Sequence, residues 1–442
     1  MKHLYALTAS FLLLCTGQAQ AQSMADTPEA QKFYVCEGYD DEDYNLENYK
    51  DIRFSTDGTQ LFVGADTYNI ADIDSITFTK PVFPCVNIVW NGNSATVTVD
   101  PSITGVSYTT SGGHVSITSK NVTDEILYVL SGSSSDGSLT LTGDYKLRMN
   151  LNGVSLVSSK GSAIDIQCGK RVEVKLMKKT TNTFVDRLGG DETQKAAFYC
   201  KGHLEIKGKG TLNVTGRTKH ALMAKEYLKF KQSTGTVNIL GAVSDGIHCG
   251  RGEKGSEYNL FIMNGGTVTV SNCGSDCIDS DDYGSMQING GTLTVNVSQT
   301  DGNGLSCDSI LYMTGGEVIA NVPGIISNGI RFNYDAQLTG GIIKCDVSGN
   351  GSKGIKAKRN TKTAATVTKG GFAHFEGTDV SMTVSGGTYT IDSSECNGIR
   401  VDRDLYQTAG DITIQISNNE AVGVSARTDH WDGVSGTRNI YH

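Results

Sequence analysis

The sequence predicts an all-β protein whose main part is a parallel β-helix of about ten coils of ~25 residues each, preceded by a small N-terminal β module. Three observations predict this fold: glycines recur at a fixed spacing, a short β-prone run follows each of them, and proline is rare after the first quarter of the chain. Of the 5 prolines among 442 residues, Pro323 alone lies beyond Pro101, so little interrupts backbone hydrogen-bond ladders. The composition, with 53 glycines and 19% charged residues, excludes a collagen, a coiled coil and a chain disordered by excess charge.

The N-terminal residues have the pattern of a secretory signal peptide over residues 1–21. Lys2 gives the positive start, residues 4–15 form a short apolar run, and Ala19-Gln20-Ala21 is a small-x-small cleavage site before Gln22. Cys15 leaves a lipoprotein as an alternative, although Leu14 stands where a small residue normally precedes the lipidated cysteine. We expect a secreted or cell-surface protein with no membrane-spanning segment.

Residues 22–82 form an acidic N-terminal module or linker, and residues 83–442 form the repeat domain. Residues 26–80 contain 13 acidic and 4 basic side chains, a net charge of −9. The net charge of the whole chain is also −9. The remainder is close to neutral, which argues against a general nucleic-acid binder.

The repeat consists of a glycine followed by a short β-prone run, as in Gly265-Gly266-Thr-Val-Thr-Val. Its glycines lie at positions 210, 235, 266, 291, 316, 341, 387 and 410, so most intervals are 25 residues or close to it. A second marker, such as Ser327-Asn328-Gly329-Ile330, opens another short strand in each period. Each period thus holds about three short strands, and stacked periods share one apolar core.

The cysteines are interpreted as small core residues. Cys200, Ala224, Cys249, Cys307 and Ala357 share one column of the aligned repeats. A disulfide between Cys273 and Cys277 stays open as an alternative.

Carboxylates recur near one corner of neighbouring coils and form the candidate metal site. Coils ~4.8 Å apart would bring several of their oxygens together, and a hard cation such as Ca²⁺ would relieve their repulsion. The alternative is a solvated row of turn-forming aspartates. The candidate ligands are Asp245, Asp276, Asp279, Asp281, Asp282, Asp301 and Asp308.

The same columns become basic farther along the chain. Lys353 takes the place of Asp245 and Asp276, and three further cations take the places of His248 and Asp279. A basic strip of this kind suits the carboxylates of uronic acids, while ordinary surface charge is the alternative. The candidate carbohydrate-binding residues are Arg331, Lys353, Lys356 and Arg400.

No residue is assigned a catalytic role from the pattern. The repeat alignment places His203, His220 and His248 near one side, where we interpret them as hydrogen-bonded turn histidines. A lyase acting by β-elimination on uronates would need a cation beside a base, and the acidic and basic coils lie one to four turns apart.

Several runs carry a family resemblance over residues 86–430, among them residues 143–156, 161–166, 181–186, 196–212 and 244–247. They resemble the bacterial secreted carbohydrate-binding β-helix family of clostridia and gut anaerobes. The resemblance implies a right-handed parallel β-helix similar to pectate lyases, bound calcium, and recognition of plant cell-wall polysaccharides including acidic, pectin-like chains. It implies binding rather than catalysis, with Asp245 and Asp276 at the family's calcium positions. Cys277 departs from the usual glycine, and Asn303 and Asn328 replace aspartate, which puts the later sites in doubt.

The sequence therefore predicts an exported, monomeric protein that binds polysaccharide with calcium as its cofactor. The alternatives are a calcium-assisted polysaccharide lyase and a structural adhesin or spacer. The pattern favours none of the individual sugars.

Overall fold

The computed structural model describes residues 32–37, 40–45, 52–73, 75–78, 82–189, 193–250, 260–281, 284–358 and 370–442. The predicted signal peptide and Asp282 lie outside the described residues. The chain divides into two compact units, with the boundary between Phe83 and Pro84. In the described ranges, no helix is both long enough and apolar enough to cross a membrane.

The described chain is all-β apart from one turn of 3₁₀ helix at Ile70–Asp72. The strands are β1 Lys32–Glu37, β2 Asp40–Asn45, β3 Ile52–Phe54, β4 Gln60–Val63, β5 Asp66–Asn69, β6 Ser75–Thr77, β7 Cys85–Asn91, β8 Ser94–Val99, β9 Val106–Ser111, β10 Gly113–Ser119, β11 Ile126–Ser134, β12 Gly137–Gly143, β13 Leu147–Val157, β14 Ile164–Gln167, β15 Arg171–Leu176, β16 Thr181–Val185, β17 Ala196–Cys200, β18 His203–Lys207, β19 Thr211–Gly216, β20 His220–Ala224, β21 Leu228–Phe230, β22 Thr236–Ala242, β23 Ile247–Cys249, β24 Leu260–Met263, β25 Thr267–Val270, β26 Ile278–Ser280, β27 Ser285–Ile288, β28 Thr292–Asn296, β29 Asn303–Cys307, β30 Ile310–Val322, β31 Asn328–Phe332, β32 Asp335–Val347, β33 Lys353–Ala357, β34 Ala373–Glu376, β35 Asp379–Val384, β36 Asn397–Ala409, β37 Asp411–Ile416, β38 Val422–Asp429 and β39 Thr437–Tyr441.

The first unit contains two three-stranded antiparallel sheets, ordered β2-β1-β6 and β3-β4-β5. Its small core is built from alternating strand residues such as Phe33, Val35, Leu61 and Val63. The buried Tyr44 lies against both Phe33 and Tyr68.

The second unit opens with antiparallel pairs, β7 with β8 and β9 with β10. After them the ladders are parallel, and from β14 to β27 each strand pairs with the third strand after it along the chain. Strands β19, β22, β25 and β28 illustrate this order, because Thr211, Thr236, Thr267 and Thr292 are register partners in turn. The glycine repeat therefore sets the register of neighbouring strands.

The expectation of an open, right-handed parallel β-helix of about ten coils is wrong, because the strands β7 to β39 form a closed barrel. The expectation placed a turn at every glycine pair and kept the strands between them separate. Instead, β30 and β32 are each 13 residues long and run through the glycine pairs at 315–316 and 340–341. β30 consequently pairs with both β27 and β28, which joins neighbouring ladders into one continuous sheet.

One glycine column shows why the x-Gly-Ile marker has so small a residue. A Cβ on Gly329 would lie 2.7 Å from the carbonyl oxygen of Gly354 and 3.0 Å from Cβ of Ala320. The backbones of successive strands approach so closely there that a side chain does not fit. Gly291 differs, since its φ of +84° is itself a conformation that favours glycine.

The interior of the barrel is a continuous core of Val, Ile, Leu, Phe and Met side chains. The described cysteines from Cys85 to Cys396 are all thiols, and all but Cys85 are buried. Cys273 and Cys277 belong to this set, so the structure contains no disulfide between them. Burial raises the pKa of the Cys200 thiol to about 12, as expected for a packing residue rather than a reactive one.

Candidate functional site

One outward-facing position on each repeat forms a continuous line, which we call the outer row. Each member lies between two buried residues of its own strand, and parallel ladders hold successive members in register. In order, they are Asp165, Tyr199, Met223, His248, Asp279, Ser306, Arg331, Lys356 and Arg400. Adjacent members are separated by one strand spacing of ~4.8 Å. Ser306 is buried, and the other members are partly exposed.

An imidazole–carboxylate cluster lies in the acidic part of this face. Oδ2 of Asp245 is 3.1 Å from Nδ1 of His220 and 3.1 Å from Nδ1 of His248. The two imidazole rings stack with centroids 4.3 Å apart and an angle of 18° between their planes. Nδ1 of His248 is also 3.3 Å from Oδ2 of Asp279. The structure thus joins His220 and His248 to the predicted ligands Asp245 and Asp279.

Burial and charge act in opposite directions on this cluster. Burial lowers the pKa of His220. Burial also disfavours charge on His248, but hydrogen bonds with Asp245 and Asp279 outweigh it and raise the pKa of His248 to about 9. The pKa of Asp245 is lowered, because the two adjacent histidines outweigh its burial. Burial raises the pKa of Asp279.

Asp276 begins a buried ladder of polar side chains next to the outer row. Its Oδ1 accepts hydrogen bonds from the backbone N and from Nδ2 of Asn303, both at 2.8 Å. Asn328 Nδ2 then donates to Asn303 Oδ1 at 2.8 Å. Burial, followed by the nearby Asp279, raises the pKa of Asp276 to about 6. The asparagines that replace aspartate along the chain therefore serve as links in an internal amide ladder.

The other predicted metal ligands are distributed along the face. Asp281 lies next to the cluster, with a carboxylate oxygen within 4.8 Å of ligand atoms of His248 and Asp279. Asp301 is exposed in the turn before β29, at a φ of +58°. Asp308 follows β29 and accepts a hydrogen bond from Asn333 Nδ2 at 2.6 Å.

Three of the four predicted carbohydrate-binding residues lie side by side. Arg331, Lys356 and Arg400 are consecutive register partners, and all three are partly exposed. Arg331 Nη2 donates to Asn333 Oδ1 at 3.1 Å. Lys353 is different, because it is only 4% exposed and its Nζ donates to the carbonyl oxygen of Gly351 at 2.5 Å. Burial, followed by the charges of Lys356 and Arg400, lowers the pKa of Lys353 to about 8.

Sequence reasoning missed a pair of adjoining surface depressions at the other end of the outer row. They share Lys160, Gly161, Ser162 and Asp165, and one of them also includes Tyr199. Gln167 Nε2 donates to Asp165 Oδ1 at 2.7 Å within this region. The alignment of Asp165 and Tyr199 with His248 was the available signal, but the irregular sequence around residue 190 obscured it.

The predicted calcium ion can be compared with the donor atoms present. Asp279 and Asp281 provide neighbouring, partly exposed carboxylates, and Ca²⁺ prefers oxygen ligands. These two residues fit a calcium ion whose remaining ligands come from water or a bound glycan. Asp245 fits less well, since its Oδ2 lies between two imidazoles and its Oδ1 accepts the backbone N–H of Asp276 at 3.1 Å.

The model of one protein family, described as carbohydrate-binding domain-containing protein, matches residues 111–421. The chain belongs to this family. The match covers the strands that build the outer row, including the imidazole–carboxylate cluster and the three exposed cations. A search among curated proteins found no match.

The chain is similar to a solved structure described as a polysaccharide lyase-like protein from C. thermocellum, gadolinium derivative. The similar region covers 80% of this chain and 99% of the chain in that structure. The identity is 15% and the TM-score is 0.30. At this score the similarity carries no argument about the function of the chain.

Proposed function

We propose that the protein binds an acidic polysaccharide along the outer row. The observation that carries the proposal is the alignment of Arg331, Lys356 and Arg400 on three consecutive strands. A spacing of ~4.8 Å is comparable to the length of one pyranose residue in an extended chain. Membership of a carbohydrate-binding family supports the ligand class.

The charges of these side chains favour a carboxylated sugar over a neutral one. Among the described side chains, the ion-pair contact of Arg400 is a long one, with Nε 3.9 Å from Asp402 Oδ1. Burial, followed by the charge of Lys358 and, to a smaller extent, those of Arg331 and Arg400, lowers the pKa of Lys356. A uronate carboxylate would relieve this repulsion and accept charge-assisted hydrogen bonds. Lys353 is excluded from direct contact in this proposal, because its side chain is buried.

Calcium dependence is the second part of the proposal. Asp279 and Asp281 would hold Ca²⁺ at the acidic part of the row, where the ion would neutralise carboxylates of both protein and glycan. One bound polysaccharide would then contact the calcium ion at the acidic part of the row and the cationic protein side chains at the basic part.

Affinity electrophoresis in gels containing polygalacturonate tests both parts. We expect retardation of the full chain, stronger with CaCl₂ than with EGTA. Arg400→Gln should weaken binding about tenfold, since a charge-assisted hydrogen bond contributes roughly 1.5 kcal/mol or more. Lys344→Gln is the matched control, because it removes the same charge from an exposed side chain paired with Glu317 outside the outer row.

Equal retardation of the two variants would contradict the assignment of the basic residues. Equal mobility in gels with and without the glycan would contradict the acidic ligand itself. Unsaturated products in the same incubations would show that the bound chain is cleaved, as the lyase alternative requires.

A further inference from the structure

We infer that His220, Asp245 and His248 form a site for one divalent transition-metal ion of the zinc type. The inference is separate from the proposed calcium ion, which uses Asp279 and Asp281, and it does not rest on glycan binding. Its basis is the position and chemistry of three donor atoms from two consecutive repeats.

The three donor atoms converge. One ligand atom each of His220, Asp245 and His248 lies within 4.8 Å of the other two, and Oδ2 of Asp245 is 3.1 Å from Nδ1 of both histidines. Ligands held at 2.0–2.2 Å in a tetrahedral zinc site are roughly 3.3 to 3.6 Å apart. Movements of a few tenths of an ångström would therefore bring the carboxylate and each imidazole to ligand distance.

The state of His220 is the second observation. The residue is only 3% exposed, and within the described structure its Nδ1 has no hydrogen-bond partner. The atom lies 3.1 Å from Asp245 Oδ2 without the alignment that a hydrogen bond requires. A buried polar nitrogen without a partner is costly, and coordination of a metal ion would satisfy it.

The donor types decide the class of ion. Two imidazole nitrogens and one carboxylate suit Zn²⁺ and its first-row neighbours, whereas Ca²⁺ and Mg²⁺ prefer oxygen ligands throughout. Three protein ligands leave a fourth position for water or another group. Asp279 is grouped with His248 and Asp281 rather than with His220 and Asp245, so the two groups of donor atoms share only His248.

The fold holds the ligands in place before any ion binds. His220 begins β20, and Asp245 and His248 flank the start of β23, the next strand in the same ladder. Asp245 is fixed by the backbone N–H of Asp276, which donates to its other oxygen. A bound ion would link adjacent repeats and raise the resistance of this part of the barrel to unfolding.

The first experiment is isothermal titration of the chelator-treated full chain with ZnCl₂ in the presence of excess CaCl₂. We expect one equivalent of Zn²⁺ to bind and the melting temperature to rise with zinc concentration. Removal of a side chain that only supports a metal ligand typically lowers metal affinity tenfold to hundredfold. His248→Gln removes a ligand itself, so it should lower zinc affinity by more than that. His203→Gln is the matched control, because His203 is a histidine outside the cluster that stacks on Tyr227 and lies 3.4 Å from a carboxylate oxygen of Glu226.

A second measurement needs no variant. CoCl₂ added to the metal-free full chain should give visible absorption bands of four-coordinate Co²⁺ with nitrogen and oxygen ligands. Thiolate charge-transfer bands in the near ultraviolet would place the ion on cysteines and overturn the assignment. So would zinc binding no tighter than calcium binding, or equal zinc affinity in His248→Gln and wild type.

Discussion

Replacement of Glu173 by glutamine should remove a large, pH-dependent part of the barrel's stability. The Glu173 side chain is 4% exposed, and four cationic side chains lie within 3.5 Å of its carboxylate oxygens. Lys231 Nζ lies at 2.5 Å, Lys207 Nζ at 3.0 Å, Arg171 Nη1 at 3.3 Å and Arg148 Nη1 at 3.5 Å from its carboxylate oxygens. Breaking such a buried arrangement leaves cations without their shared partner.

The magnitude follows from the pKa of Glu173. Burial opposes ionisation, but Lys207 and Lys231 outweigh it and lower the pKa from 4.5 to about 2. At about 1.36 kcal/mol per pKa unit, this corresponds to about 3 kcal/mol of stability. Because the folded-state pKa is lowered, the contribution is fully present above pH ~4.5 and is lost as the pH falls toward 2.

Urea unfolding followed by fluorescence of Trp90, which is buried in the barrel, measures this contribution between pH 3 and pH 7. Wild type should be more stable than Glu173→Gln by about 3 kcal/mol at pH 6, with a smaller difference at pH 3. Glu317→Gln serves as the control, since its ion pair with the half-exposed Lys344 should contribute less than about 1 kcal/mol. A difference between wild type and Glu173→Gln that stays constant over this pH range would refute the reasoning.

Three further predictions concern the barrel. Burial lowers the pKa of Lys353 to about 8, so Lys353→Met should raise the urea midpoint at pH 7. For the same reason, the wild type should gain stability between pH 8 and pH 10, whereas the variant should not. Gly329→Ala should lower the melting temperature by an amount equivalent to about 1–3 kcal/mol, since its Cβ would meet the carbonyl oxygen of Gly354 at 2.7 Å; an unchanged melting temperature would contradict this contact. Phe261→Ala should cost about 3–5 kcal/mol in urea unfolding, because the fully buried ring packs edge-on against Phe230.

The sequence repeat predicts which residues are neighbours better than it predicts the closure of the sheet. The spacing of the glycines aligns Arg331 with Lys356 and Arg400, and the ladders have the same register. Whether a strand stops at a glycine pair depends on hydrogen bonds across the whole sheet. Strand β30 continues through Gly315 and Gly316 because β32 pairs with it on both sides of that point.

Side-chain burial is the second property that the repeat leaves undetermined. Lys353 and Lys356 are three positions apart and both appear as surface cations in the sequence. The structure buries Lys353 beside the amide ladder and leaves Lys356 partly exposed in the outer row. Likewise, nothing in the spacing of His220 and His248 shows that their rings stack on each other with both Nδ1 atoms 3.1 Å from Asp245 Oδ2.

The outer-row side chains form the surface proposed to bind the ligand, whereas the buried residues beside them stabilise the fold. Each outer-row side chain lies between two buried neighbours on its strand, as Arg331 lies between Ile330 and Phe332, and those neighbours supply the packing. The row can therefore change from Asp279 to Arg331 within two strands without a change of fold. The imidazole–carboxylate cluster is the exception, because His220 and Asp245 are themselves buried. Substitutions there act on the packing of two repeats as well as on any bound ion, whereas substitutions at the partly exposed Arg331 or Arg400 should act mainly on the proposed ligand. For this reason the affinity of exposed outer-row variants is the sharper measure of function, and the metal content of the wild-type chain is the sharper measure of the cluster.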